Sequence, residues 1–365
     1  MFLIVTRNFP PDIGGIQSLM GGLAENLLNH GPVKVFTYEY ENSNDYDLKS
    51  TLNIERVKGI KLFKKFRKAN LVNNFINENP NIRAIFVDHW KSLELIKIEY
   101  LKKIKTFCLL HSKEINHEIG TSINKRIIKI TKNSDYIIAN SNFTKNLAIK
   151  IGIESSKINV IFPGINTPKE INASFKNEAD SYYSDSFPKI ITVARLEKRK
   201  GHDKVLMSIK NLKTKYPKIK YISVGSGKES EKLLNLTKEL KLEDNVLFLN
   251  NININFKNAL LSAADLFIMP SRVDNKSVEG FGIAFIEAAS YGVGSIGGKD
   301  GGESDAIIHN ETGLICDGSN LSSIFESIVT FFEDKKHITY GNNAKKFSKK
   351  FHWNDVVKKY LHLIN

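Results

Sequence analysis

No run of about 18 consecutive apolar residues occurs in this chain, so no segment is built to cross a bilayer as a helix. The opening stretch, MFLIVTRNFPP, is too short an apolar run for a secretory leader and lacks a basic start. It reads as a first strand. Cysteine is scarce. Cys108 and Cys316 stand far apart in apolar surroundings, which excludes a disulfide scaffold and suggests reduced, structural thiols in the cytoplasm. Acidic residues are outnumbered, 39 Asp and Glu against 53 Lys and Arg, for a net charge of +14. Such an excess favours anionic partners: nucleotide phosphates, nucleic acid or an anionic membrane. Lysine scattered over every helix would give the same balance with no partner. No aromatic-interleaved basic face of the kind that binds nucleic acid is present, so nucleic acid is not expected.

What remains is ordinary globular composition, 41% hydrophobic and 25% charged, in a chain of 365 residues, long enough for two domains. Strand-like runs alternate with amphipathic stretches. FLIVT, VKVFTY, AIFVD, TFCLLH, YIIANS and INVIF are separated by helical patterns near 17–30, 61–79, 120–133 and 142–151. A polar, weakly periodic run follows, and the alternation restarts with KIITVAR, YISVG, VLFL, LFIMP and GVGSIGG. The expected fold is therefore α/β: two doubly wound, mostly parallel Rossmann-like domains with a cleft between them. The expected boundaries are 1–165, a linker over 166–187, a second domain over 188–349, and a C-terminal helix over 350–365 packing across the domain interface. In such sheets ligands bind beyond the carboxyl ends of the strands.

The chain is organised around SVEGFGIAFIEAA, residues 277–289. Glu279 sits in a glycine-rich turn, and Phe281 to Tyr291 reads as a buried helix. The N–H groups of Phe281, Gly282 and Ile283 would then be free donors of a helix N-terminus, suited to an anion. Glu279 and Glu287 cannot act as one catalytic pair. Eight residues of helix is roughly 12 Å of rise, and a glycosidase needs its carboxyls about 5 to 9.5 Å apart. Two carboxylates so spaced suit an extended ligand with hydroxyls at both ends and phosphates between, as in a nucleotide sugar.

Other candidates lie at strand ends. Gly14 and Gly15 form a turn before a helix and offer a second backbone approach to phosphate, with Gln17 facing the cleft. His111 closes the strand TFCLLH, with Lys113, Glu114 and His117 on the following loop. Arg195 ends a strand and Lys200 precedes the next helix, two fixed cations suited to a diphosphate. Gly225 and Gly227 make a strand-end turn. As a dinucleotide fingerprint VGSGKES is weak, because Ser230 stands at the third glycine position. Asn250, Asn251 and Ile252 mark a strand end where a nucleobase could lie. Residues 56–70 hold seven basic residues and no acidic one. There Leu62, Phe66, Ala69, Val72 and Ile76 follow helical spacing, with Lys61, Lys64, Lys65 and Lys68 elsewhere on the wheel. This basic amphipathic helix could dock on anionic headgroups, or simply pack on its own domain.

Taken in order, FPPDIGGIQ, ARLEKRKG, VGSG, MPSR with VEGFGIAFIEAA, and the final FHWNDV resemble the retaining, nucleotide-sugar-dependent glycosyltransferases of family four, over essentially the full length. Within them the chain looks most like the bacterial α-mannosyltransferases of the phosphatidylinositol mannoside type. That resemblance implies the GT-B fold and transfer of a hexose, from GDP-mannose first and a UDP-sugar second, to a lipid-linked or glycan acceptor. It implies that Arg195 and Lys200 neutralise the leaving diphosphate and that Glu279 holds donor-sugar hydroxyls. Backbone from Phe281, Gly282 and Ile283 would meet sugar and phosphate, Glu287 the ribose, and Gly14 and Gly15 the diphosphate. His111 would lie by the donor sugar, Gly225, Asn251 and Ile252 by the nucleotide, and Gln17 and Lys113 by the acceptor. Where this group often has His-Gly-x-Glu, this chain has His111-Ser112-Lys113-Glu114. The usual late Pro-Glu is Ser304-Asp305.

No carboxylate cluster such as Asp-x-Asp stands at a cleft-facing strand end, so neither a metal nor another cofactor is expected. Arg195, Lys200 and the helix N-terminus would supply the charge a metal otherwise brings. The expected location is the cytoplasm, with peripheral contact at the inner face of the plasma membrane. A nucleotide-sugar epimerase of the same fold and a catalytically inactive membrane-associated scaffold are the rival readings.

Overall fold

The computed structural model describes residues 1–365 apart from Lys61, whose side chain lies outside the described residues, as does the part of the basic-helix expectation that falls on it. The chain divides into two compact units, one of Met1–Asn166 with Phe351–Asn365, the other of Thr167–Lys350. Among the described residues no helix is long and apolar enough to cross a membrane.

The first unit is a seven-stranded sheet: β1 (Phe2–Val5), β2 (Val33–Tyr38), β3 (Asn53–Val57), β4 (Ala84–Val87), β5 (Lys105–Leu110), β6 (Tyr136–Ala139) and β7 (Ile158–Val160). The order is β3-β2-β1-β4-β5-β6-β7, every pairing parallel. Runs such as FLIV and AIFV are buried on both faces, as strands covered by helices on either side must be. β3 was not among the expected strands. It is an edge strand, and its Glu55 and Arg56 spend their charge on Lys34 and Asp47, so its sequence lacks an apolar run.

The C-terminal helix Trp353–Ile364 differs from expectation. It packs into the first unit's core, where Trp353, Val356, Val357 and Tyr360 join Phe2, Leu23 and Phe86. The Trp353 indole lies against Gly22 and Gly164, leaving no room for a Cβ at either position.

The second unit has six parallel strands: β8 (Lys189–Val193), β9 (Lys220–Val224), β10 (Val246–Leu249), β11 (Leu266–Met269), β12 (Ser295–Gly298) and β13 (Gly313–Cys316), in the order β10-β9-β8-β11-β12-β13. β13, four residues opening on glycine, was also not among the expected strands. Cys108 and Cys316 are free thiols buried in separate cores. The expected linker over 166–187 is largely a helix, Ala173–Tyr183. Asn172 caps it, accepting from the Ser174 N–H at 2.9 Å, and Ala179 and Tyr183 are buried. The segment thus belongs to the body of the second unit.

Both sheets wind outward in two directions from an inner pair, β1 and β4 in the first unit and β8 and β11 in the second. The carboxyl ends of those pairs are the topological switch points where α/β sheets take their ligands.

Candidate active site

In the second unit the loops leaving β8 and β11 carry a cluster of paired charges. After β8 comes the turn Lys198–Lys200, then Gly201 at φ 79°. Gly201 is required here, because its positive φ would strain an L residue and its missing Cβ leaves space for the Pro270 carbonyl. The contact brings the β8 loop onto the end of β11, and the Arg272 N–H donates to the Arg199 carbonyl at 2.9 Å.

That junction positions three charges. Arg199 Nη1 donates to Glu279 Oε2 at 2.7 Å, and Lys200 Nζ donates to the same oxygen. All three side chains are nearly buried, at 10 to 12% exposure. Burial alone would raise the Glu279 carboxyl, but Lys200 and Arg199 outweigh it and hold it down at about 2. At Lys200 burial wins, and the ammonium is pushed below its ordinary value despite the carboxylate beside it. The site therefore holds two desolvated cations on one anion, a surplus of positive charge in a largely dry setting.

Arg195 is placed differently from expectation. Its side chain is 64% exposed and pairs with Glu197 at 2.9 Å. The cation beside Lys200 is Arg199, whose Nε also approaches Glu197 at 3.3 Å. Arg195 is thus joined to the buried cluster through Glu197. Arg199 went unread because Glu197-Lys198-Arg199-Lys200 looks like a solvated charge run.

The helix after Glu279 is Ile283–Ser290, with Gly282 at φ 85° before it. Phe281 is buried and precedes the helix, whose N-terminus therefore begins at Gly282 and Ile283, one residue later than expected. Glu287 lies within the helix, and Lys257 Nζ reaches its Oε2 at 3.0 Å. The two carboxylates thus have separate cations and separate neighbourhoods.

Gly225, at φ 148°, sits against the Ala194 carbonyl, and Gly227 against that of Leu196. Backbone packing accounts for both. Asn251 takes φ 49° at the end of β10 and is exposed, with Ile252 half-buried beside it.

In the first unit the Gly14–Gly15 turn opens the helix Gly15–Leu27. Gln17 is half-buried, and its Nε2 donates back across the turn to Asp12 at 2.6 Å. His111 is tied on two sides, its N–H donating to Glu114 at 2.6 Å and its Nε2 lying 3.0 Å from the Asp88 carbonyl. Lys113 is exposed. Ser112 holds φ 86°, left-handed for a residue with a side chain. Its hydroxyl meets that of Thr144.

Sequence reasoning missed Asp88 at the end of β4. It is fully buried and accepts from the Arg7 N–H at 2.9 Å, Asn8 Nδ2 at 3.1 Å and Ser92 Oγ at 3.1 Å. Burial would raise its carboxyl, but Lys68 and the Arg7 N–H hold it low. Burial pushes neighbouring His89 down to about 3, leaving a neutral ring at physiological pH. The Asp88-His89 pair following a strand-like run was the available signal.

Lys68 corrects the basic-helix expectation. In the helix Lys61–Glu78 it is 4% exposed, its Nζ donates to the Thr6 carbonyl at 2.7 Å, and burial brings it down to about 8. The buried face runs through Lys68, Val72 and Ile76. Leu62 is 71% and Phe66 47% exposed, alongside exposed Ile60 and Phe63, so the apolar stripe leaves the core in the first turns.

Two family models match. The one described as "Glycosyl transferases group 1" covers residues 173–349, and "Glycosyltransferase Family 4" covers residues 13–169. The GDP-mannose-dependent alpha-(1-6)-phosphatidylinositol monomannoside mannosyltransferase of Mycolicibacterium smegmatis is 24% identical over 92% of this chain and 90% of its own length. A GDP-mannose-dependent monoacylated alpha-(1-6)-phosphatidylinositol monomannoside mannosyltransferase of Corynebacterium glutamicum is 27% identical over 91% of this chain and 88% of its own. The Anabaena HepE protein, solved with UDP and glucose, superimposes with a TM-score of 0.81 at 17% identity, over 100% of this chain and 99% of that one. Sucrose-phosphate synthase of Thermosynechococcus elongatus does so at 0.80 and 19%, over 99% and 97%.

Proposed function

Because this chain belongs to the group 1, family 4 glycosyltransferases of GT-B type, with one family model on each of its two units, we propose that it moves a hexose from a nucleoside-diphosphate sugar to a lipid-linked acceptor with retention of anomeric configuration. The observation that carries the reading is the pair of buried cations, Arg199 and Lys200, meeting on one oxygen of Glu279 at the β8–β11 switch point.

The donor diphosphate lies on Lys200 and Arg199, with the N–H groups of Gly282 and Ile283 completing an anion site. Arg195 takes part from the exposed side. Glu279, fixed by its two cations, accepts from donor-sugar hydroxyls on its other oxygen. Glu287, released from Lys257, accepts from the ribose, and the backbone at Asn251 and Ile252 meets the base. The bond from the anomeric carbon to the diphosphate oxygen breaks, and the acceptor hydroxyl forms its bond on the same face. Its proton passes to the leaving phosphate. No divalent ion is required, since Arg199 and Lys200 supply charge where the diphosphate develops it. GDP-mannose is the preferred donor, in keeping with the mannosyltransferase relatives, and a UDP-sugar is second, in keeping with the UDP-bound structural neighbour. The first unit takes the acceptor near His111 and Lys113. Exposed Leu62, Phe63 and Phe66, beside Lys64, Lys65 and Arg67, bring it to an anionic membrane surface.

Incubation with labelled GDP-mannose or UDP-glucose and phosphatidylinositol-glycan lipids tests the reading. An α-linked glycolipid product is expected. A β-linked product refutes retention, and release of free sugar alone refutes lipid-directed transfer.

A further inference from the structure

The turn Gly302–Asp305 brings a second carboxyl, Glu303, against the Glu279 cluster, and the reaction proposed above makes no use of it. Its side chain is 1% exposed. One oxygen, Oε1, meets the Ser271 hydroxyl. The other, Oε2, is buried with no hydrogen-bond partner among the described residues. The Gly302 N–H donates to the Glu279 carbonyl at 3.0 Å, which locks the turn to the Glu279 backbone. Gly301 closes over the free oxygen: a Cβ there would stand 2.6 Å from Oε2. The charged and titratable groups facing Glu303 are Glu279, Lys200 and Arg199 from the loops and Cys316 from β13. Lys200 pairs with Glu279 and Arg199 with Glu279 and Glu197, and Glu303 makes no ion pair among the described residues.

A carboxylate with one oxygen buried and unpaired, beside a second carboxylate, is costly to keep ionised. Burial, and then the charge of Glu279, push the Glu303 carboxyl up to about 8. We infer that Glu303 is kept as a neutral carboxylic acid, that this leaves the Arg199–Lys200–Glu279 cluster one positive charge in surplus, and that the surplus sets affinity for a nucleoside diphosphate. The inference rests on the donor site proposed above and adds a residue that the site reading lacks. Ionisation of Glu303 cancels the surplus, so binding of a diphosphate at alkaline pH draws one proton from solvent back onto Glu303. Affinity then falls by up to about tenfold per pH unit above about pH 8.

Lys200 is the competing source of an alkaline loss, because burial has lowered it. The variant Glu303→Gln separates the two. It keeps the neutral hydrogen-bonding group and cannot ionise, while Lys200 and the nucleobase titrate alike in both proteins. Calorimetric titration with GDP and UDP at about pH 7 and pH 9 should show the wild-type Kd rising about tenfold more than that of Glu303→Gln. Proton uptake, read from the dependence of the heat on buffer, should be greater at about pH 9 in the wild type than in Glu303→Gln, by the proton that returns to Glu303. Equal pH dependence in the two proteins overturns the inference and assigns the loss to Lys200.

A measurement without nucleotide keeps the inference separate from the donor reading. The infrared carbonyl stretch of a protonated carboxylic acid, followed in wild-type protein with labelled glutamate, should be present at about pH 7 and fade above pH 8. Ser271→Ala, which removes the hydroxyl that favours ionisation, should move that fading to higher pH. Absence of the band overturns the inference even if GDP or UDP binds. With the band present, failure of both nucleotides to bind either protein overturns the donor site and, with it, the link between Glu303 and affinity.

Discussion

Replacing Glu279 by Gln keeps the shape of the side chain and removes the charge on which Arg199 and Lys200 converge. Two cations, each 8% exposed as a residue, would then face a neutral amide. Breaking a buried pair in this way typically costs about 3–5 kcal/mol. Linkage gives a similar figure. The Glu279 carboxyl goes from its ordinary 4.5 to about 2 on folding, which at about 1.4 kcal/mol per unit is about 3 kcal/mol. Lys200, already lowered by burial, can shed its proton in the variant and so keep the loss near the lower figure. In a unit of this size about 3 kcal/mol corresponds to a melting temperature lower by about 6–12 °C. The sign of the pH dependence follows from the depressed pKa. The carboxylate's contribution is complete above its unfolded pKa of 4.5 and is lost as pH falls through about 2. The gap between wild type and variant should therefore be full at about pH 7 and less than half as large at about pH 3. Urea or thermal unfolding of the two proteins at both pH values measures it. In turnover Glu279→Gln should lose far more than it loses in nucleoside-diphosphate affinity. A variant as stable as wild type at neutral pH, or a gap unchanged in acid, would refute the reasoning.

On the proposed reading Arg199 and Lys200 carry the charge at the diphosphate, so transfer should persist in EDTA; loss of activity restored by magnesium or manganese would contradict this. The surface around Leu62, Phe63 and Phe66 should bind anionic vesicles in a flotation assay. Lys64, Lys65 and Arg67 together contribute about 3 kcal/mol at modest salt, and binding should weaken as the Debye length falls to about 3 Å at 1 M salt. Substitution of those three cations by Gln should abolish flotation without altering donor binding, and wild-type protein that ignores the vesicles at low salt would refute membrane docking.

The period of the apolar runs was the most legible part of the chain. Strands buried on both faces, such as FLIV and AIFV, announce themselves because nothing polar interrupts them. β3 did not, since at the sheet edge Glu55 and Arg56 are tolerated and find partners. The helix Ala173–Tyr183 was hidden in the same way, by a polar run with only Ala179 and Tyr183 buried. Glu279, Lys200 and Glu287 could be singled out from motif and spacing. Arg199 and Lys68 could not, because the sequence shows a cation but not whether the backbone turns it inward. Lys68 falls off the apolar stripe on the helical wheel, yet it faces the strand ends that hold Thr6 and Asp88. Glu303 was hidden by its setting, GGESDA, where glycines suggest a turn and the turn proves to be buried.

The central claim is that the buried cation pair of the second unit binds the diphosphate of a nucleotide sugar, and calorimetric titration of GDP and UDP into wild-type protein and Lys200→Ala at about pH 7 tests it most directly. The account predicts saturable binding of at least one of the two nucleotides to the wild type. In Lys200→Ala, which removes one of the two cations on Glu279, it predicts binding weaker by at least tenfold, about 1.4 kcal/mol. Equal affinity in the two proteins, or no binding of either nucleotide to the wild type, would contradict it.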